Sequence, residues 1–325
     1  MFADTKVCMG KGDILFQERK GIQARIRTRK GALAEGIVAG VLFGTAAVLI
    51  RSIEDLGAFS IAFWRLIIAC AVLAIVLIFL KEPFSFRLIR GNLKELFILS
   101  FFLGLHFAFF ALAVMDTTIL NATVLVNTSP IFSMLVSGLF FKLKPSRVAV
   151  VGLAISFIGV CVIAYAETSG AGGSLYQAGH GSSVKGDLEA ILAAAVEAFY
   201  LNYGRKLRSK MNLLSIMIPL YLLTAVVVGF LSIPSAGMVF MLPTRIDTVV
   251  ALIGLGVLPT AIAHTLYFSS LSNLKPFETA TLALLEPIGA TILGISIFQE
   301  VPAPLFAVGA ALTLIGILFV VRNRG

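Results

Sequence analysis

Apolar residues gather in ten long runs, at about residues 33–50, 58–80, 94–115, 118–140, 146–165, 187–204, 212–232, 248–270, 277–298 and 303–321. Each has the length of a membrane-crossing helix, roughly 17–25 residues, and none shows the strict alternation of a half-buried strand. Backbone polar groups in hydrocarbon must be satisfied within their own segment, which a helix achieves. The pattern predicts an all-α integral membrane protein with ten transmembrane helices. Gly36, Gly40 and Gly44 recur every four residues in the first run, so they form a bare stripe on which another helix can pack closely.

The pattern also repeats. Residues 121–165 and 278–322 align at one constant offset, with Pro130 over Pro287, Pro145 over Pro302, Gly152 over Gly309 and Gly159 over Gly316. A polar, Gly/Ser-rich stretch separates the two halves. The expected organisation is a basic tail (1–32), a first five-helix repeat (33–165), an extracytoplasmic linker (166–186) and a second five-helix repeat (187–322). Five is odd, so the second half enters the membrane from the opposite side, and the duplication becomes an inverted-topology repeat. Gly152, Gly159, Gly309 and Gly316 serve either internal packing, the favoured reading, or a weak homodimer.

Composition agrees with this picture. Hydrophobic residues make up 58% of the chain, charged residues 13%, and mean hydropathy is +0.99, which excludes an ordinary soluble domain. The net charge of +9 raises the question of nucleic acid, but its distribution answers it. With both termini in the cytoplasm, the tail and every inside loop hold the Lys and Arg; only Arg51, Lys185 and Arg245 fall outside, and Arg65 lies within a span. Orientation in a cytoplasmic membrane explains the charge without a nucleic-acid partner. The tail, with Ile22 and Ile26 among its basic residues, is read as a disordered cytoplasmic segment or one resting on anionic lipid, and Met9 is an alternative start.

The residue inventory narrows the chemistry. Cys8, Cys70 and Cys161 are far apart and His106, His180 and His264 are scattered, so neither a metal site, a cofactor nor an enzyme's dense ionisable constellation is expected. A channel's filter glycines or charged rings are not visible either. Polar residues inside spans are costly in lipid and generally face a bundle interior, which makes them the candidates. Glu286 lies near the middle of span nine, and Pro287 beside it removes an amide and crowds Ala283, bending the helix or opening a carbonyl. Glu286 is either a substrate or proton site or a structural carboxylate paired with a residue such as Arg65. Arg65 in span two has the same two readings.

Glu197 and Tyr200 share a face of span six, and Thr260, His264 and Tyr267 form a stripe on span eight. The repeat lays Glu286 over Ser129, next to Pro130; Thr123 and Asn127 form the neighbouring stripe, and either stripe can line a cavity. His106 has no symmetric partner and reads as an interhelical donor. Phe107, Tyr200, Tyr203 and Tyr267 are placed to stack on an aromatic substrate.

The FWRLIIA run at 63–69, the NTSP and LLEP segments opening the repeated hairpins, and the proline–glycine–glycine spacing at 145–159 and 302–316 resemble the EamA-domain branch of the drug/metabolite transporter superfamily. The resemblance covers residues 33–322. It implies a secondary carrier of small polar metabolites, commonly an amino-acid or metabolite exporter, in which helices surround a central cavity and spans five and ten lie towards the periphery. It places side chains of spans two, four and nine along the substrate path, supporting Arg65, Asn127 and Glu286. The expected cargo is neutral or zwitterionic, because Arg65 is the only clear intramembrane cation, and protons are a candidate coupling ion through Glu286. The basic tail and long linker depart from the family pattern.

Overall fold

The structure, a computed structural model, describes residues 28–81, 84–169, 183–233, 241–298 and 303–322. Nearly all of the basic tail, most of the linker, and Cys8, Met9, His180 and Pro302 lie outside them. Every regular element described is helical: α1 Arg29–Phe43, α2 Ala46–Arg51, α3 Ala58–Leu80, α4 Phe86–Gly91, α5 Leu93–Asp116, α6 Ile119–Val126, α7 Ser129–Leu139 and α8 Arg147–Ser169. The second half holds α9 Val184–Arg208, α10 Leu213–Leu231, α11 Ile246–Leu255, a π-helical stretch Gly256–His264, α12 Thr265–Ser270, α13 Pro276–Leu282, a 3-10 turn Ala283–Leu285, α14 Glu286–Phe298 and α15 Pro304–Arg322. Side-chain caps start several of them: Thr28 accepts from Gly31 N, Thr118 from Asn121 N, and Ser183 from Gly186 N.

Helices occupy all ten expected segments, and eight stretches among the described residues are long and apolar enough to cross a membrane. α9 falls outside that set because Lys185, Asp187, Glu189, Glu197 and Arg205 interrupt its apolar character. The Pro276–Phe298 run also falls outside it. Large apolar side chains such as Phe79, Leu139, Phe230 and Leu318 point outward, as lipid-facing residues do. The chain is a multi-pass, all-α membrane protein.

The expected span at 118–140 is not one continuous helix. It breaks at Asn127–Thr128, between α6 and α7. Pro130 has no N–H to offer the carbonyl of Val126, where α6 ends. Likewise Pro287 has none for Ala283, where the 3-10 turn begins. The first span is interrupted at Gly44–Thr45, and the span at 248–270 widens into a π-helix around Pro259.

The Gly36/Gly40/Gly44 stripe packs as expected. Any side chain at Gly44 would run into the backbone of Glu286 and Gly289, so α1 meets the start of α14 at backbone distance. α8 and α15 pack against each other through the Gly152/Gly159 and Gly309/Gly316 faces, which settles those glycines as internal packing within one chain. Their other faces expose Val150, Ile158, Val308 and Ile315, consistent with a peripheral pair. α5, α9, α3, α10 and α12 build the main core, where Leu66, Leu103, Phe107, Leu201, Tyr221 and Phe268 are buried together.

Candidate functional site

All four helix interruptions border one partly open cavity, whose empty space of about 470 Å³ includes the solvent at its mouth. Phe43 and Ala46 flank it from the α1/α2 break, Asn127 and Ser129 from the α6/α7 break, Ala283 and Glu286 from the 3-10 turn, and His264 from the π-helix. The unbroken helices complete the wall with Arg65 on α3, His106, Phe107 and Phe110 on α5, and Glu197 on α9. Interrupted helices suit such a place, because irregular backbone is tolerated at membrane depth where it lines a protein cavity.

Asn127 Nδ2 donates to Glu286 Oε2 at 3.3 Å and to the Thr123 carbonyl at 2.7 Å. Arg65 donates through Nε to Thr260 Oγ1 at 2.9 Å, and its guanidinium carbon lies 4.2 Å from the Phe107 ring centroid, a cation–π contact. Among the described residues no carboxylate lies within ion-pair distance of Arg65, so the expected alternative of an Arg65–Glu286 pair is not formed. His106 Nδ1 is 3.0 Å from the Ala193 carbonyl. A carbonyl only accepts, so Nδ1 is the donor in this contact. The ring centroids of His106 and His264 are 6.0 Å apart, and His264 also meets Phe43 and Phe107 at 4.8 Å each.

Several buried polar atoms here lack a protein partner: Arg65 Nη1, Ser129 Oγ and His264 Nδ1. Buried polar atoms are normally satisfied, so three orphans on one cavity wall suit a site that receives a polar guest. The wall presents two carboxylates, one guanidinium, two imidazoles and the rings of Phe43, Phe107 and Phe110. No group of three His, Cys, Asp or Glu among the described residues is disposed to hold a metal ion.

Seven of the candidates come together on this wall: Arg65, Phe107, Asn127, Ser129, Glu197, His264 and Glu286. Asn127 and Ser129 both reach it although they belong to different stripes of an ideal helix, because the break between α6 and α7 turns the chain there. Thr123 does not line it; its hydroxyl bonds back to the Ile119 and Leu120 carbonyls of its own helix. Tyr200, packed against Phe268, and Tyr267, packed against Phe43, are buried and are not among the lining residues. Tyr203 packs against the core without reaching the cavity. Pro130 and Pro287 act one residue away, through the breaks they cause. Phe43 and Phe110 are lining residues that carry no distinguishing sequence signal, Ala283 is the residue that Pro287 crowds, and His106 is an interhelical donor and a lining residue as well.

Known proteins resemble this chain in sequence and fold. The model of the EamA-like transporter family matches residues 30–165 and 184–322. An uncharacterized transporter of Archaeoglobus fulgidus is 25% identical over 294 residues, covering 87% of this chain and 95% of the relative. The uncharacterized transporter YdfC of Bacillus subtilis is 29% identical over 234 residues, or 70% of this chain and 71% of that protein. A probable terminal-alkyne amino-acid exporter of Streptantibioticus cattleyicolor is 26% identical over 213 residues, 62% of this chain and 64% of its own. A solved crystal structure at 19% identity has a TM-score of 0.70 and covers 90% of this chain and 96% of its own, which shows the shared fold. With the family match running through both halves, the chain belongs to the EamA-like transporter family of the drug/metabolite transporter superfamily, whose members are secondary transporters of small molecules and not enzymes.

Proposed function

We propose that this protein moves a small neutral or zwitterionic metabolite, an amino acid or a related metabolite, outward by alternating access around the Arg65/Asn127/Glu197/Glu286 cavity. The ten helical segments act as two inverted five-helix repeats, with both termini in the cytoplasm and protonation of Glu286 coupling cargo to proton entry. One observation carries the reading: a guanidinium and two carboxylates line the same cavity without forming an ion pair with one another. Groups this costly to bury in a membrane suit a ligand that carries both signs of charge. The exporter name of the Streptantibioticus relative points to the same class of cargo. Below the break α7 packs against α9 and α13, with Ser137 donating to Asn202 at 2.6 Å, whereas α6 packs against α9 and α14 against α1.

The test is counterflow in proteoliposomes loaded with a panel of amino acids and related metabolites under defined pH gradients. Saturable exchange of an amino acid that loses its pH dependence in Glu286→Gln is the expected result. Exchange with unchanged pH dependence in the variant returns Glu286 to a structural role and leaves a proton-independent exchanger. Exchange only of drugs, nucleosides or sugar phosphates overturns the cargo assignment.

A further inference from the structure

We infer that the free edge of Arg65 is a carboxylate-binding subsite and that Thr260 is the positioning residue that aims it. The inference rests on the transport reading above and deepens it, by assigning the part of the cargo that Arg65 receives.

An arginine carries five N–H donors on a rigid planar fork. In Arg65, which is 1% exposed, Nε is committed to Thr260 and the flat face to Phe107, whereas Nη1 is buried with no acceptor. A buried guanidinium is normally satisfied by a carboxylate or carbonyls. Here it is clamped by one edge and one face, and the remaining donors belong to a side chain that lines the cavity. A planar oxyanion with two oxygens, above all a carboxylate, fits such a fork through paired charge-assisted hydrogen bonds. The cationic end of the same solute has Glu197 and Glu286 on the shared wall.

The clamp depends on the π-helix. Thr260 Oγ1 donates to the Leu255 carbonyl at 2.6 Å, five residues back, where a serine or threonine in a regular helix bonds three or four back. That bond uses the hydroxyl proton and leaves a lone pair for Arg65 Nε. The Tyr221 hydroxyl donates to the Thr260 carbonyl at 2.9 Å and lies 3.3 Å from Thr265 Oγ1, which holds the widened turn from the α10 side. The π-stretch and Tyr221 therefore orient Thr260, and Thr260 orients the guanidinium.

The experiment measures ligand-induced thermal stabilisation of the full chain in detergent, which does not require transport. The probes are L-leucine, L-phenylalanine and L-lysine, each against its carboxamide, at fixed pH and ionic strength. Wild type is expected to bind at least one acid on the order of tenfold more tightly than its amide, the effect of one charge-assisted bond. Thr260→Val is expected to remove that preference by weakening the acid alone, and Thr260→Ser to keep it; Thr260→Ala gives the same readout should the valine variant fail to fold. A structural defect moves acid and amide together, so the ratio isolates positioning. Equal binding of acid and amide by wild type in all three pairs overturns the subsite, and a preference that survives Thr260→Val and Thr260→Ala overturns the role of Thr260. Acid-selective binding without counterflow of the same solute would sink the transport reading while leaving the subsite standing.

Discussion

The Ser156 hydroxyl donates to the Thr313 carbonyl at 3.3 Å, and the Thr313 hydroxyl donates back to the Ser156 carbonyl at 3.5 Å. The two residues are 157 positions apart, the separation that the proposed repeat assigns to equivalent positions. Reciprocal contact of this kind is what a two-fold axis between α8 and α15 produces. Around it the glycines bring backbone against backbone, as small residues do in membrane interfaces.

That seam makes a first prediction. A Cβ on Gly159 would lie 2.7 Å from the Gly309 carbonyl oxygen and 2.5 Å from the Thr313 amide nitrogen, atoms that cannot swing aside. Gly159→Val is expected to destabilise the protein by about 1–3 kcal/mol through overpacking. Cys161→Ala, at an exposed position on the same helix, is expected to be nearly neutral. Thermal unfolding in detergent compares them, and equal melting temperatures would show that the seam is not tight.

Asn127 and Glu286 make a second. Asn127→Leu removes the amide that donates to the carboxylate, and a hydrogen bond to a charged group contributes roughly 1.5–3 kcal/mol. If that bond holds Glu286 in its binding geometry, KM for the exchanged solute rises about tenfold or more in Asn127→Leu. Adding Glu286→Gln then costs less than the separate effects together, because residues in one network are not additive. Counterflow on both single variants and the double one decides it, and additivity would argue that the two act independently.

The spans, the intramembrane Arg65 and Glu286, and the two prolines were legible because each rests on local chemistry: apolar length, the cost of a buried charge, a missing N–H. The joint presence of Asn127 and Ser129 at the cavity was not, since an ideal helix offers one stripe or the other and only the break beside Pro130 presents both. His106 was half legible. Its interhelical role follows from a buried imidazole, but its place on the wall depends on the register of α5 against α9 and the Ala193 carbonyl. Phe43 and Phe110 were hidden among 26 phenylalanines, where spacing cannot separate a lining ring from a packed one.

Outside the spans, Asp55 supports a pH prediction. It accepts from the Thr248 hydroxyl and from both the amide and hydroxyl of Thr244, at 3.1 and 2.9 Å, joining the α2–α3 turn to the first turn of α11 and the segment before it. These bonds, the one from Thr248 foremost, favour the charged form and lower its pKa from 3.8 to about 2. A depressed folded-state pKa contributes stability that is fully present above the unfolded value and is lost as pH falls through the folded one. Stability is therefore expected to fall between about pH 4 and pH 2 by an increment that Asp55→Asn lacks and Thr248→Val reduces. Unfolding of the three proteins across that window tests it; parallel curves would mean that the Asp55 contacts do not persist in solution.

Arg29 and Glu278 carry the last prediction. Arg29 meets both carboxylate oxygens of Glu278, at 2.9 and 3.2 Å, and also donates to the carbonyls of Val321 and Asn273 at 2.7 and 3.3 Å. One side chain thus ties the start of α1 to α13, to the end of α15 and to the turn after α12. The partners are unequally buried: the Glu278 side chain is 2% exposed and that of Arg29 30%. Removing the arginine strands a carboxylate that keeps the Lys275 amide, at 2.8 Å, as its donor among the described residues, whereas removing the carboxylate's charge leaves an arginine that water reaches. Arg29→Ala is expected to cost about 2–3 kcal/mol, below the usual 3–5 for breaking a fully buried pair because one partner is partly solvated. Glu278→Gln is expected to cost about 1 kcal/mol, the scale of an ordinary hydrogen bond. In the double variant the stranded charge is gone, so the loss falls below that of Arg29→Ala alone. Denaturant unfolding of the four proteins completes the cycle, and two equal, additive losses would show that this contact carries no coupling between α1 and α13.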